Sequence, residues 1–312
     1  MVGITVDEIT TMPIEAINEI PEELLWVANF NSKKSIETYG VAIRQFMNFL
    51  KIDNVNQLRQ VGHGHVIAFK KYLIDSLNKK PATVNNRLSA ISSLFNHLID
   101  QQICKINPAQ GVRRLRQEYS GVKAKCLSRD EVRRILDIPD RTTMIGKRNY
   151  ALLCVLFYTG CRISEVINLK IEDYFTEKGY PILDFKLKGG KRNRVAISKE
   201  LEIALNDYLS TFTGNHCPKN PIFVSINFKN REKTHLKRVT VSELWGRIAK
   251  KAGIYGTSPH SARTTFITEA MTNNCPIEAV QKTVGHSQIK TTQMYDKRDK
   301  NYKDSASFSV HF

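Results

Sequence analysis

A helical pattern that fills the first third of the chain stops at Asn107-Pro108 and gives way to a basic stretch, and this interruption dictates the architecture. Proline lacks a backbone N–H and pushes the residue before it out of the helical region, so no helix runs through this point. Upstream, Ile36, Tyr39, Ile43, Phe46, Met47 and Leu50 recur at three- and four-residue steps, as do Val66, Phe69, Tyr72, Leu73 and Leu77. Both runs predict amphipathic helices. A third helix is expected after Pro81, with Thr83 as N-cap and Val84, Leu88, Ile91, Leu94, Phe95 and Leu98 on one face. Downstream, Ser128-Arg129-Asp130-Glu131 has the spacing of a capping box ahead of Val132, Ile135 and Leu136. A chain of 312 residues is long enough for two separate cores. The expected division is an acidic extension at 1–19, a helical domain at 20–108, a linker at 109–126 and a second domain with a C-terminal tail at 127–312.

The charge is uneven. The chain holds 47 Lys and Arg against 30 Asp and Glu, a net +17, yet residues 1–30 contain Asp7, Glu8, Glu15, Glu19, Glu22 and Glu23 and no base. The remainder is therefore six charges more positive than the whole. A body of that charge attracts a polyanion, and nucleic acid is the expected partner; a merely soluble or ribosome-associated basic protein is the alternative. The linker carries Arg113, Arg114, Arg116, Lys123 and Lys125 with only one acid, Glu118. It reads either as a solvated connection or as a strap along a phosphate backbone. The six cysteines form no Cys-x-x-Cys pair and have no histidine at zinc spacing, so they are expected to be reduced, mostly buried thiols. No phosphate-binding glycine loop, no cluster of metal-binding carboxylates and no dinucleotide fingerprint is evident, so no metal and no cofactor is expected. The longest apolar run, Tyr150–Tyr158, is too short to span a bilayer and no signal peptide is evident, which predicts a cytoplasmic, nucleoid-associated protein with no membrane partner.

In the second domain, Tyr150–Phe157 reads as a buried helix broken by Thr159-Gly160, and Ile163, Val166, Ile167 and Leu169 place Arg162 and Glu165 on the next. Leu183, Phe185 and Leu187 then alternate with Asp184, Lys186 and Lys188 before Gly189-Gly190 and a strand at Arg194–Ile197. That is a hairpin with Lys188 and Lys191 near its tip. Helical spacing returns around 241–252, 261–271 and 277–284. The expected fold is mainly α with a small antiparallel β-sheet.

Chemistry enters through order rather than through any single residue. His-x-x-Arg occurs twice, at His260 and at His235, Gly-His occurs three times, and Tyr295 is one of eleven tyrosines. Each alone reads as a surface or packing residue. Taken in sequence, however, Tyr158-Thr159-Gly160-Cys161-Arg162-Ile163-Ser164-Glu165, Lys188-Gly189-Gly190-Lys191, His260-x-x-Arg263, Gly285-His286 and Tyr295 resemble the tyrosine recombinase (phage integrase) family, of the compact Xer-like or mobile-element type. The stretch from Thr83 to Pro108 resembles the end of that family's helical, SAM-like core-binding domain. Three positions depart from the common pattern: Ala262 for Leu, Thr264 for His and Asn274 for Gly.

The resemblance implies that Tyr295 attacks a DNA phosphate to give a 3′-phosphotyrosyl enzyme and a free 5′-hydroxyl, without ATP or metal. It implies Arg162 and Arg263 as the charge clamp, His260 as proton acceptor, His286 as hydrogen-bond donor, Lys188 as acid for the leaving oxygen and Glu165 as their support. It further implies double-stranded DNA with inverted half-sites and a homo-tetramer, with the tail bearing Phe308, Val310 and Phe312 as a contact between protomers. A type IB topoisomerase and a non-catalytic DNA-binding regulator are the competing readings.

Overall fold

The computed structural model describes residues 20–30, 32–116, 124–187, 189–212, 217–226 and 233–297. Contacts divide the chain into two compact units, with the division inside the 109–126 stretch.

The first unit is a helical bundle of α1 (Glu22–Ala28), α2 (Lys33–Leu50), α3 (His63–Lys71, continued by a wider turn at Tyr72–Ser76) and α4 (Pro81–Asp100). Its core holds most of the residues the periodicity picked out, with Phe46, Phe69, Leu73, Leu88, Ile91 and Leu94 fully buried, and adds Trp26, Leu58 and Val61. α4 begins earlier than expected: Lys80 is the N-cap and Pro81 takes the first helical position, where its missing N–H has no partner to lose. Thr83 is therefore inside the helix. Asn107 does more than end the pattern. Its amide donates to the Ser92 carbonyl at 2.9 Å and to Asn96 Oδ1 at 2.7 Å, and its own Oδ1 accepts from Ala109 N. The chain is thus turned back onto α4, and Ala109 and Val112 enter the first core. The Asn85 amide pairs with both backbone groups of Leu115, at 2.9 Å each, and Lys70 Nζ donates to the Arg113 carbonyl. Through Arg116, the stretch expected to be a linker packs on the first unit.

The second unit wraps around α6 (Met144–Thr159), whose residues Ala151–Leu156 are all buried. α5 (Arg129–Asp137) precedes it and starts at the anticipated box: Glu131 N donates to Ser128 Oγ, and Ser128 N to Glu131 Oε2. α7 (Ile163–Val166) follows, then an antiparallel sheet of β1 (Tyr174–Glu177), β2 (Tyr180–Lys186) and β3 (Arg192–Ala196) in sequence order. The β2–β3 register pairs Leu183 with Val195 and Phe185 with Asn193. Asp184 was expected on a polar face, but it is buried between Arg192 and Arg194, an ion pair standing where alternation implied solvent. α8 (Lys199–Leu209), a second two-stranded sheet of β4 (Val224–Ile226) and β5 (Lys233–His235), and α9 (Arg238–Lys251), α10 (Pro259–Thr272), α11 (Ile277–Val284) and α12 (Ile289–Tyr295) complete the unit. The fold is mainly α with a small antiparallel sheet. Asn274 has φ 59°, the left-handed backbone that asparagine tolerates in place of glycine. The cysteines depart from expectation: Cys154 and Cys161 are buried, whereas Cys217 and Cys275 are exposed and Cys104 and Cys126 half-buried. Among the described residues no helix is long and apolar enough to cross a membrane.

Candidate active site

Arg263 is the largest fully buried side chain of the described residues, at 1% exposure. A guanidinium is buried only where its donors are satisfied. Here Nη1 donates to the Gly160 carbonyl at 2.7 Å and Nη2 to the Val284 carbonyl at 2.8 Å, while Nε has no partner among the described residues. Those carbonyls end two helices. Gly160 caps α6 and Gly285 caps α11, both left-handed, with φ 61° and 65°. A Cβ at Gly160 would stand 2.6 Å from Phe266 Cδ1, and one at Gly285 would stand 2.9 Å from Leu187 Cδ1, so each glycine also permits a close approach. Burial and the nearby Arg162 charge lower the Arg263 pKa to about 10, so it stays cationic at neutral pH.

Tyr295 and His286 stand close to this guanidinium, and Arg162 and His260 lie within its electrostatic reach. Arg162 caps α7 and is held twice by the buried carboxylate of Glu165, which accepts from the Arg162 backbone N–H and from Nη1, both at 2.7 Å. Its side chain stays 38% exposed, able to face a ligand. Tyr295 ends α12 with its ring centroid 5.7 Å from the Arg263 guanidinium carbon and 5.3 Å from the His286 ring. The ring packs beside Ile267, Met271, Val280 and Val284. His286 is buried and its Nδ1 lies 3.0 Å from Thr292 Oγ1. Burial, then the Arg263 and Arg162 charges, lower its pKa to about 3. His260, on the first turn of α10, is lowered by partial desolvation and by Arg238, Arg263 and Arg162. Arg238, of the second His-x-x-Arg that reads as a surface pair, is exposed, and its charge is among the causes that lower His260. Its partner His235 sits apart, with Nδ1 3.2 Å from the Ile167 carbonyl.

Lys188 and Lys123 lie outside the described residues, as does the tail after Lys297. The hairpin around Lys188 is nevertheless anchored beside His286: Asn193 Nδ2 donates to the Thr283 carbonyl at 2.9 Å, and Leu187 lies over Gly285. Lys191 is exposed on the hairpin, Lys125 Nζ pairs with Glu131 at 2.6 Å, and Arg113, Arg114 and Arg116 are exposed on the first unit.

The depressed His286 has a measurable consequence. Its unfolded-state pKa is near 6.5 and its folded-state value near 3, so between them the unfolded chain binds the extra proton. This contribution to stability is complete above about pH 6.5 and is lost as pH falls toward 3. The expected slope is up to about 1.4 kcal/mol per pH unit from this one group. Denaturant melts of wild type and His286→Gln between pH 4 and 7 check it; parallel curves would refute it.

Residues 125–302, more than half of the chain, match the phage integrase family model, and residues 27–105 match the N-terminal SAM-like domain of phage integrases. The chain belongs to the phage integrase family. Its relatives include the tyrosine recombinase XerD of Oceanobacillus iheyensis, 28% identical over 85% of this chain and 87% of the relative. The tyrosine recombinase XerC of Bacillus licheniformis is 28% identical over 93% and 94%. Among solved structures of this fold are the XerH site-specific recombinase in a post-cleavage complex with palindromic difH (TM-score 0.69, 21% identity, 90% of this chain and 83% of that one) and a lambda integrase tetramer on a Holliday junction (0.67, 18%, 90% and 77%).

Proposed function

We propose that this phage integrase family member is a site-specific DNA recombinase in which Tyr295 attacks a backbone phosphate, displacing the 5′-oxygen and leaving a 3′-phosphotyrosyl bond. The observation that carries the reading is the Tyr295 ring held beside a buried, doubly braced Arg263 and a neutral His286. Charge in the transition state gathers on the non-bridging oxygens, which planar guanidiniums at 162 and 263 meet with paired donors. His260, its pKa lowered by desolvation and then by the cations around it, takes the phenolic proton. If Thr292 donates to Nδ1, His286 carries its hydrogen on Nε2 and offers it to the phosphate. Lys188 is assigned the leaving 5′-oxygen on the family pattern. The phosphotyrosyl bond keeps the phosphoester energy, so a 5′-hydroxyl from a partner strand reseals the backbone without ATP.

Partner exchange calls for two duplexes and four protomers on inverted half-sites. The tail bearing Phe308, Val310 and Phe312 is assigned to contacts between protomers. The exposed Arg113, Arg114 and Arg116, with Lys191, are assigned to phosphate contacts. A protein acting this way works in the cytoplasm on the nucleoid.

Two labelled duplexes bearing the site found by footprinting DNA beside the gene test this reading. Strands joined between the two duplexes are the expected product. Relaxation of supercoils with no joined partner strands would instead favour a topoisomerase, and the absence of any protein–DNA adduct would leave only a regulator.

A further inference from the structure

Three threonines on α10 behave differently although they are spaced four apart. Thr264 Oγ1 donates to the His260 carbonyl at 3.1 Å and Thr272 Oγ1 to the Thr268 carbonyl at 2.8 Å, each bonding its own helix one turn back. Thr268 between them does not. Its hydroxyl donates to the Tyr295 carbonyl at 3.3 Å and accepts from the Lys297 N–H at 3.1 Å. A hydroxyl has one hydrogen to give and lone pairs to receive, so this side chain is used in both directions on another element.

The site of contact is informative. α12 ends at Tyr295, and Asp296 turns to extended backbone at ψ 120°. The last carbonyls of a helix have no partner within it, and the chain beyond is free to fray. Thr268 satisfies one of those carbonyls and catches the N–H two residues further on, so the backbone that leaves the nucleophile is held at two points. Because Thr268 shares α10 with His260 and Arg263, the helix that supplies the proton acceptor and the buried cation also sets where the phenol stands.

We propose that Thr268 is a positioning residue for Tyr295: through this two-way backbone clamp it holds the phenol in register with Arg263 and His286. The proposal rests on the recombinase reading above. A displacement of the nucleophile by about 1 Å costs roughly 10²-fold in rate without altering ground-state binding.

Thr268→Val, nearly the same shape without the hydroxyl, and Thr268→Ser, which keeps it, separate clamp from packing. On a nicked suicide substrate carrying the footprinted half-site, single-turnover adduct formation by Thr268→Val is expected to fall by about 10- to 100-fold, with DNA Kd within about twofold of wild type. Thr268→Ser should recover to within about fivefold. Hydrogen exchange at the Lys297 amide should accelerate in Thr268→Val and not in Thr268→Ser. Wild-type cleavage rates in Thr268→Val, or a loss of DNA affinity that accounts for the slower cleavage, would overturn the proposal. A wild-type protein that forms no adduct would take down the recombinase reading, and the clamp's role with it.

Discussion

Tyr295→Phe is expected to form no covalent protein–DNA adduct, while Tyr302→Phe, which alters the next tyrosine in the sequence, retains it. The substitution removes one oxygen and leaves the ring. That ring makes the packing contacts described above, beside Ile267, Met271, Val280 and Val284 and 5.3 Å from His286, so Phe should keep the local structure. The thermal midpoint should shift by only a few degrees, since no buried apolar surface is lost. DNA affinity should also persist, because Arg162 and Arg263 remain to meet the phosphate. Cleavage should fall by about 10³-fold or more, as removal of a nucleophile does, with no compensating group at the same place. A denaturing gel of protein with labelled site DNA reads the adduct directly. Its survival in Tyr295→Phe would reassign the nucleophile.

The legible part of this molecule is the part in which side-chain identity carries the structure. The α4 face from Val84 to Leu98, the capping box at Ser128 and Glu131, and the β2–β3 hairpin all announce themselves through periodicity or turn chemistry. The candidate site was visible as an ordered series of separate residues, and the fold brings Arg162, His260, Arg263, His286 and Tyr295 under one electrostatic influence. What stayed hidden runs through backbone groups or long-range pairs. Arg263 is braced by two carbonyls, and a carbonyl has no signature in sequence. Asp184 looked like an outward residue because alternation cannot foresee that Arg192 would cover it. The packing of residues 109–116 on the first unit is silent in sequence because Asn85 and Lys70, which fasten them, lie many residues upstream. β4 and β5, three residues each, are too short for alternation to register.

Arg263→Lys, a change that keeps the charge, should damage both fold and chemistry. The guanidinium spans two helix ends: one nitrogen reaches the Gly160 carbonyl at 2.7 Å and the other the Val284 carbonyl at 2.8 Å. An ammonium is a single point on a flexible stem and cannot serve both while facing a phosphate. At least one buried carbonyl loses its partner, at a cost of about 1–3 kcal/mol, and charged hydrogen bonds are lost with it. The second unit should be destabilised by about 3 kcal/mol, seen as a drop of roughly 5–10 °C in its thermal midpoint. Burial near the Arg162 cation would also favour an uncharged amine, which removes the positive charge where the transition state needs it. Single-turnover cleavage should therefore fall by about 10³-fold, the scale seen when a preorganised donor is removed. Arg162→Lys makes the internal comparison, because Arg162 is 38% exposed and its main partner is a side chain, Glu165. It should melt close to wild type yet cleave poorly. If both variants melted alike, the bracing of the two helix ends by Arg263 would not be what holds the site; if Arg263→Lys cleaved within tenfold of wild type, the paired donors would not be what the phosphate requires.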